Sequence, residues 1–225
     1  MNPGRCARQR IRRFIARSPV AEDPRHAENT LAWLLKLEPR ADEALQLAAL
    51  AHDIERARPD RLRREDYADY DRFKADHAAR GALMLAEILR QCRVDPELAA
   101  ESCRLVRLHE TGGDPRSDLL RDADSLSFFD LNLPLYHQRE GEDETLRRCI
   151  WGIRRLSRGG LELLATINHP PHLRRLIREA LGTSGNLPLS GVTEGCTRAP
   201  REGPDPDPRS PAPRRLADPP RHPPP

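Results

Sequence analysis

Leu45-Gln46-Leu47-Ala48-Ala49-Leu50-Ala51-His52-Asp53-Ile54-Glu55-Arg56 is an apolar run that closes on a histidine and a carboxylate. Residues 45–51 are nearly all Leu and Ala, which favour helix. A helix that is apolar on nearly every face is one that the fold buries. His52 and Asp53 therefore emerge from a buried helix. A buried charge needs a partner, and an unpaired buried polar group is costly. The pair poses two questions: what surrounds the helix, and what the pair holds.

Helical patterns lie on both sides of it. Pro24, just before His26, marks a helix start, and Leu31, Leu34, Leu35 and Leu37 carry the period to Pro39. The helix with the His52-Asp53 pair starts near Ala41 and ends before Pro59. Residues 60–72 are charged and read as a loop or short helix over the pair. Amphipathic helices follow over 73–91, 96–110 and 117–131, with Gly112-Gly113 and Pro115 punctuating the last two. Further helices are predicted over 141–157, 160–167 and 171–181. No stretch alternates with period two, so the fold is all-α. Aromatics are only 4% of the chain, and the core must be built mainly from Leu, Ala and Ile.

The chain has 225 residues, a net charge of +3 and a hydrophobic fraction of 37%. That low fraction is unevenly spread, since residues 183–225 hold 12 of the 22 prolines. Three parts are expected: a basic leader or helix over 1–19, a helical domain over 20–182, and a disordered Pro-rich tail over 183–225. Lys36 and Lys74 are the only lysines, the other basic residues being Arg, and acidic residues interleave with them almost everywhere. Such mixing argues against a nucleic-acid surface, outside the stretch holding Arg5, Arg8, Arg10, Arg12, Arg13 and Arg17. No run of 18 apolar residues exists, so a membrane span is not expected. Cys6, Cys92, Cys103, Cys149 and Cys196 form no CxxC pair, which speaks against a disulfide framework or a Cys-based zinc site. Reduced thiols in a cytoplasmic protein are expected.

The His52-Asp53 pair has companions. His26 lies upstream; His77, His109 and Arg121-Asp122-Ala123-Asp124-Ser125-Leu126 lie downstream. Any one histidine at a helix end is more commonly a cap or a solvated residue than a ligand. Together, on successive helices, they are nitrogen and oxygen donors suited to a divalent transition metal such as manganese or iron. Two residues apart on a helix point to opposite sides, so Asp122 and Asp124 cannot both face one ion. His137, His169, His172 and His222 receive no role, with His137 expected in a loop.

The order His, His-Asp, His, His, Asp resembles the HD-domain superfamily of metal-dependent phosphohydrolases. The resemblance covers roughly residues 20–130. It rests on His26, His52, Asp53 and the Ala123-Asp124-Ser125-Leu126 segment, similar to the family's Ala-Asp-x-Leu, which favours Asp124 over Asp122. His77 lies in His77-Ala78-Ala79-Arg80-Gly81-Ala82, similar to the family's His-x-x-x-Gly-Ala, and His109 precedes Glu110. The resemblance implies an HD-like helical bundle holding two metal ions. His26 and Asp124 would serve one, His77 and His109 the other, with Asp53 bridging. It further implies hydrolysis of a small phosphorylated substrate, a nucleotide among the candidates. Arg56 and Lys74 would meet its phosphate, and Glu110 would act as a hydrogen-bond acceptor or general acid. The chain departs from the family at Ile54-Glu55-Arg56, where Ile-Gly-Lys is common. Thr111-Gly112-Gly113 follows His109 instead of Gly-Tyr-Pro, which argues against the cyclic-di-GMP phosphodiesterase branch. Two other readings share the ligand set: a di-iron oxygenase, and a non-catalytic module that binds a metal or nucleotide. Substrate and oligomeric state are not legible in the sequence.

Overall fold

Helix α3 (Glu43–Ala51) is the axle of the fold. Seven of its residues, including Leu45, Leu47, Leu50 and Ala51, are buried. In this computed structural model, which describes residues 2–185, four helices surround it: α1 (Pro3–Ile15), α2 (Asp23–Leu37), α5 (Pro96–Leu108) and α6 (Pro115–Ser127). The long α4 (Tyr70–Gln91) lies along α5. A π-helical turn (Phe128–Asn132) continues α6 into α7 (Leu133–Glu140). Helices α8 (Glu142–Arg155), α9 (Arg158–Leu164) and α10 (Pro171–Thr183) complete it, with α8 packed on α10. There is no strand among the described residues, and the all-α expectation holds. None of the described helices is long and apolar enough to cross a membrane.

Local sequence sets the helix starts. Asp42, Asp69, Asp95 and Asp114 each accept backbone N–H bonds at the start of α3, α4, α5 and α6. These satisfy donors that a helix leaves orphaned. Proline stands in the first turn of α1, α2, α5, α6, α7 and α10, where no N–H is required. At Gly152 in α8, an added Cβ would stand 3.1 Å from the ring of buried Phe129. This glycine lets α8 close onto the π turn.

Two expectations are corrected. Of the leader or helix expected over 1–19, the structure has a helix: the polar residues of α1 face out while Ala7, Ile11 and Ile15 are buried in the common core. Cys6 and Cys92 are joined in a disulfide, with Cα atoms 5.6 Å apart, tying α1 to the end of α4. Pairing across 86 residues comes from tertiary proximity, which the spacing of cysteines in the sequence does not encode. The cysteine argument for a reducing compartment thereby loses its basis. Cys103 and Cys149 are free thiols, and burial pushes them up to about 11 and about 12. His137 lies within α7, its ring 5.1 Å from that of His172, and not in a loop. The Pro-rich segment expected to be disordered and Cys196 fall outside the described residues, except that 183–185 form the end of α10 and its cap.

Candidate metal centre

Five helices and a 3-10 turn converge on one point. His26 sits in the first turn of α2, and His52 closes α3. Asp53 precedes the 3-10 turn Ile54–Ala57, which follows the end of α3. His77 lies on α4, His109 caps the end of α5, and Asp124 stands in the last turns of α6. All four histidines are buried.

Their donor atoms form two groups, each within 4.8 Å internally: His26, His52 and Asp124, then Asp53, His77 and His109. In the first group, Asp124 Oδ1 is 3.1 Å from His26 Nε2 and 3.5 Å from His52 Nε2. In the second, Asp53 Oδ1 is 3.0 Å from His77 Nε2 and 3.9 Å from His109 Nε2. The other Asp53 oxygen, Oδ2, faces the first group, 3.7 Å from His52 Nε2 and 3.9 Å from His26 Nε2. One carboxylate thus turns one oxygen to each group.

The outer ring nitrogens are all occupied by protein. His52 Nδ1 donates to the Ala49 carbonyl (2.9 Å), and His109 Nδ1 to the Val106 carbonyl (2.7 Å). His77 Nδ1 donates to Glu55 Oε2 (3.0 Å). His26 Nδ1 donates to the Ser127 hydroxyl (2.9 Å), which itself donates to the His26 carbonyl. With the hydrogen on Nδ1, the lone pair of each Nε2 points inward, the arrangement a metal-binding histidine needs. His109 Nε2 is buried and has no hydrogen-bond partner. An orphaned buried nitrogen among carboxylates is what a cation would satisfy. The residues present therefore fit metal ions.

The cluster is strongly polarised without one. Burial alone would lower His52, but Asp53 and Asp124 outweigh it and raise the ring to about 9. Burial would likewise raise both carboxyls; His52 and Arg56 hold Asp53, and His26 and His52 hold Asp124, well below the usual range. Arg56 already spends its guanidinium on Asp53 (3.1 Å) and Asp23 (3.0 Å). Lys74 is paired with Glu110, whose other oxygen is 3.1 Å from Arg155. Against the pull of burial, Lys74 and then His109 keep the Glu110 carboxyl below its normal range. Of its two expected roles, that favours acceptor over general acid, because an acid must hold its proton near working pH.

Asp122 points elsewhere. It accepts the Ser157 backbone N–H (2.9 Å) and hydroxyl at the start of α9, so Asp124 alone of the two faces the cluster. Sequence reasoning missed Glu55 and Ser127. Glu55 had a signal, a carboxylate where the resembled family commonly has glycine; a lone serine in the last turn of a helix has none.

A buried His/Asp cluster able to hold metal, inside an all-helical bundle, defines the class of this protein. Within it, the chain belongs to the family described as domain of unknown function DUF4202, whose profile matches residues 9–177. No curated protein and no solved structure gives a significant match.

Proposed function

We propose that this protein is a two-metal phosphohydrolase of the HD type acting on a small phosphoester. The observation that carries this reading is the placement of the two Asp53 oxygens, one toward each donor group. A pair of divalent ions roughly 3.5–4 Å apart would supply an activated water and neutralise charge on a phosphoryl group. His26, His52 and Asp124 would hold one ion and His77 and His109 the other, with Asp53 shared. The chain's own residues do the rest. Water adds to phosphorus and gives up a proton, the ester P–O bond breaks, and the departing alkoxide takes up a proton in its place. Arg56 and Lys74 both line the cavity over the cluster, a position from which they meet phosphate oxygens as well as their carboxylate partners. Ionised Glu110 keeps Lys74 and Arg155 in place.

The test has two parts. Elemental analysis of anaerobically purified protein should find two transition-metal ions per chain, and Asp53→Ala should lose both. Manganese-loaded protein should then hydrolyse members of a phosphoester panel equally well with and without oxygen. One ion or none, full metal content in Asp53→Ala, or turnover only with oxygen would each overturn the reading.

A further inference from the structure

The cavity above the metal centre, about 350 Å³, has a neighbour. A second chamber of about 560 Å³ lies between α4, the π turn, α7 and α8 and shares part of its lining with the first. Tyr70, Phe128 and Arg148 line both. An aromatic chamber ordinarily invites a flat apolar group, but these rings are already covered by guanidiniums. Arg148 lies 4.2 Å from the Trp151 ring centre and 4.8 Å from that of Phe128. Arg155 lies 4.3 Å from the Trp151 ring, Arg64 5.3 Å from Tyr70, and Arg139 5.6 Å from Tyr136. The rings are platforms that hold arginines still, leaving little bare face for a ligand to stack on.

Two of these arginines, and their neighbour Arg147, are spent on carboxylates: Arg139 on Glu22, Arg155 on Glu110 and Asp124, and Arg147 on Glu144. Arg148 is different. Its one polar partner among the described residues is the Tyr70 hydroxyl, at 3.4 Å. It is half-buried and held by two aromatic rings, and it keeps most of its five donors free at the junction of the two chambers. A planar, immobilised guanidinium with an open fork is matched to a phosphate or carboxylate, which it grips through two parallel bonds. Arg64, exposed and without a carboxylate partner among the described residues, stands over the Tyr70 ring.

We infer that Arg148 is the receptor for a second anionic group, so that the substrate carries two: one at the metal centre and one in the arginine-lined chamber. This rests on the phosphoester reading above. It makes Arg148 a specificity residue that selects bis-anionic substrates over simple monoesters.

Linear alkane bisphosphonates of graded length, compared with alkylphosphonates of the same length, test it. Their C–P bonds resist hydrolysis. The readout is the ratio of dissociation constants, by calorimetry on the manganese-loaded full chain. The wild type should favour the bisphosphonate by roughly tenfold or more at one preferred length, the size expected for a charge-assisted bidentate contact. In Arg148→Met, which keeps an unbranched side chain against Trp151 and Phe128, that ratio should fall to near one. In Arg148→Lys, which keeps the charge and loses the fork, it should be intermediate. No length preference in the wild type, or an undiminished ratio in Arg148→Met, would overturn the inference. If Arg148→Met does not fold, an undiminished ratio in Arg148→Lys overturns it equally. Failure of the metal-loaded wild type to bind any monophosphonate would instead sink the phosphoester reading beneath it.

Discussion

Exchanging Glu55 for glutamine tests one half of the metal centre without touching a ligand. Glu55 is fully buried, and its two oxygens do separate jobs. Oε2 accepts from His77 Nδ1 at 3.0 Å; Oε1 accepts the Leu62 N–H at 2.8 Å, with Arg80 3.4 Å away. Glutamine can keep the Leu62 bond through its carbonyl, but it then presents an NH2 group to a ring nitrogen that is itself a donor. His77 must either leave two donors opposed or move its hydrogen to Nε2, the atom that faces Asp53. Losing the outer partner of a metal-bound histidine weakens the metal by roughly 10–100-fold, or about 1.4–2.7 kcal/mol. The unsatisfied buried donor should also lower folding stability by about 1–3 kcal/mol. Competition of manganese or zinc against a chromophoric chelator resolves two affinities. Glu55→Gln should weaken the one served by His77 and His109, while the ion held by His26 and Asp124 keeps its affinity to within about twofold. Two unchanged affinities, or two equally weakened ones, would refute the reasoning.

Ser127→Ala should produce the mirror image, because Ser127 is the outer partner of His26; roughly tenfold weaker binding is expected at the other ion, by the same competition. Reducing the Cys6–Cys92 disulfide opens a loop of 86 residues and should cost about 4–5 kcal/mol, read as a lower urea midpoint in reductant and in Cys6→Ser; an unmoved midpoint contradicts the pairing. Metal-free protein should lose stability in alkali. His52 is raised to about 9 from an ordinary 6.5, so its contribution is full below about 6.5 and disappears as pH climbs through about 9. The loss should approach about 3 kcal/mol. Urea unfolding of chelator-treated protein at about pH 6 and about pH 9.5 measures it, and equal stabilities would show that the ring is not held protonated.

The run from Leu45 to Asp53 carried most of the fold, because an all-round apolar helix can exist only at the centre of a bundle. The six candidate ligands were legible for a related reason: most fall inside segments that otherwise read as apolar helix, and their order matches a family pattern. First-turn prolines and the apolar period placed most helix starts within a few residues. Helix α1 was harder, since its dense arginines hide a narrow stripe of Ala7, Ile11 and Ile15.

Other features depend on which side chains meet across long separations, and no local pattern encodes that. The family motif favoured Asp124 but gave Asp122 no partner; packing of α6 against α9 sends Asp122 to Ser157 and leaves Asp124 to the histidines. Arg56 and Arg148 are both arginines in helical or turn segments; one is spent on two carboxylates, the other rests on aromatic rings with its fork open. Composition and periodicity determined that this chain is a helical bundle with histidine and aspartate at its heart, because burial follows from local hydrophobic pattern. Which oxygen faces which nitrogen, which cysteines join and which arginine stays free were decided by tertiary structure alone, because hydrogen bonds and ion pairs act over a few ångströms between residues up to about a hundred positions apart.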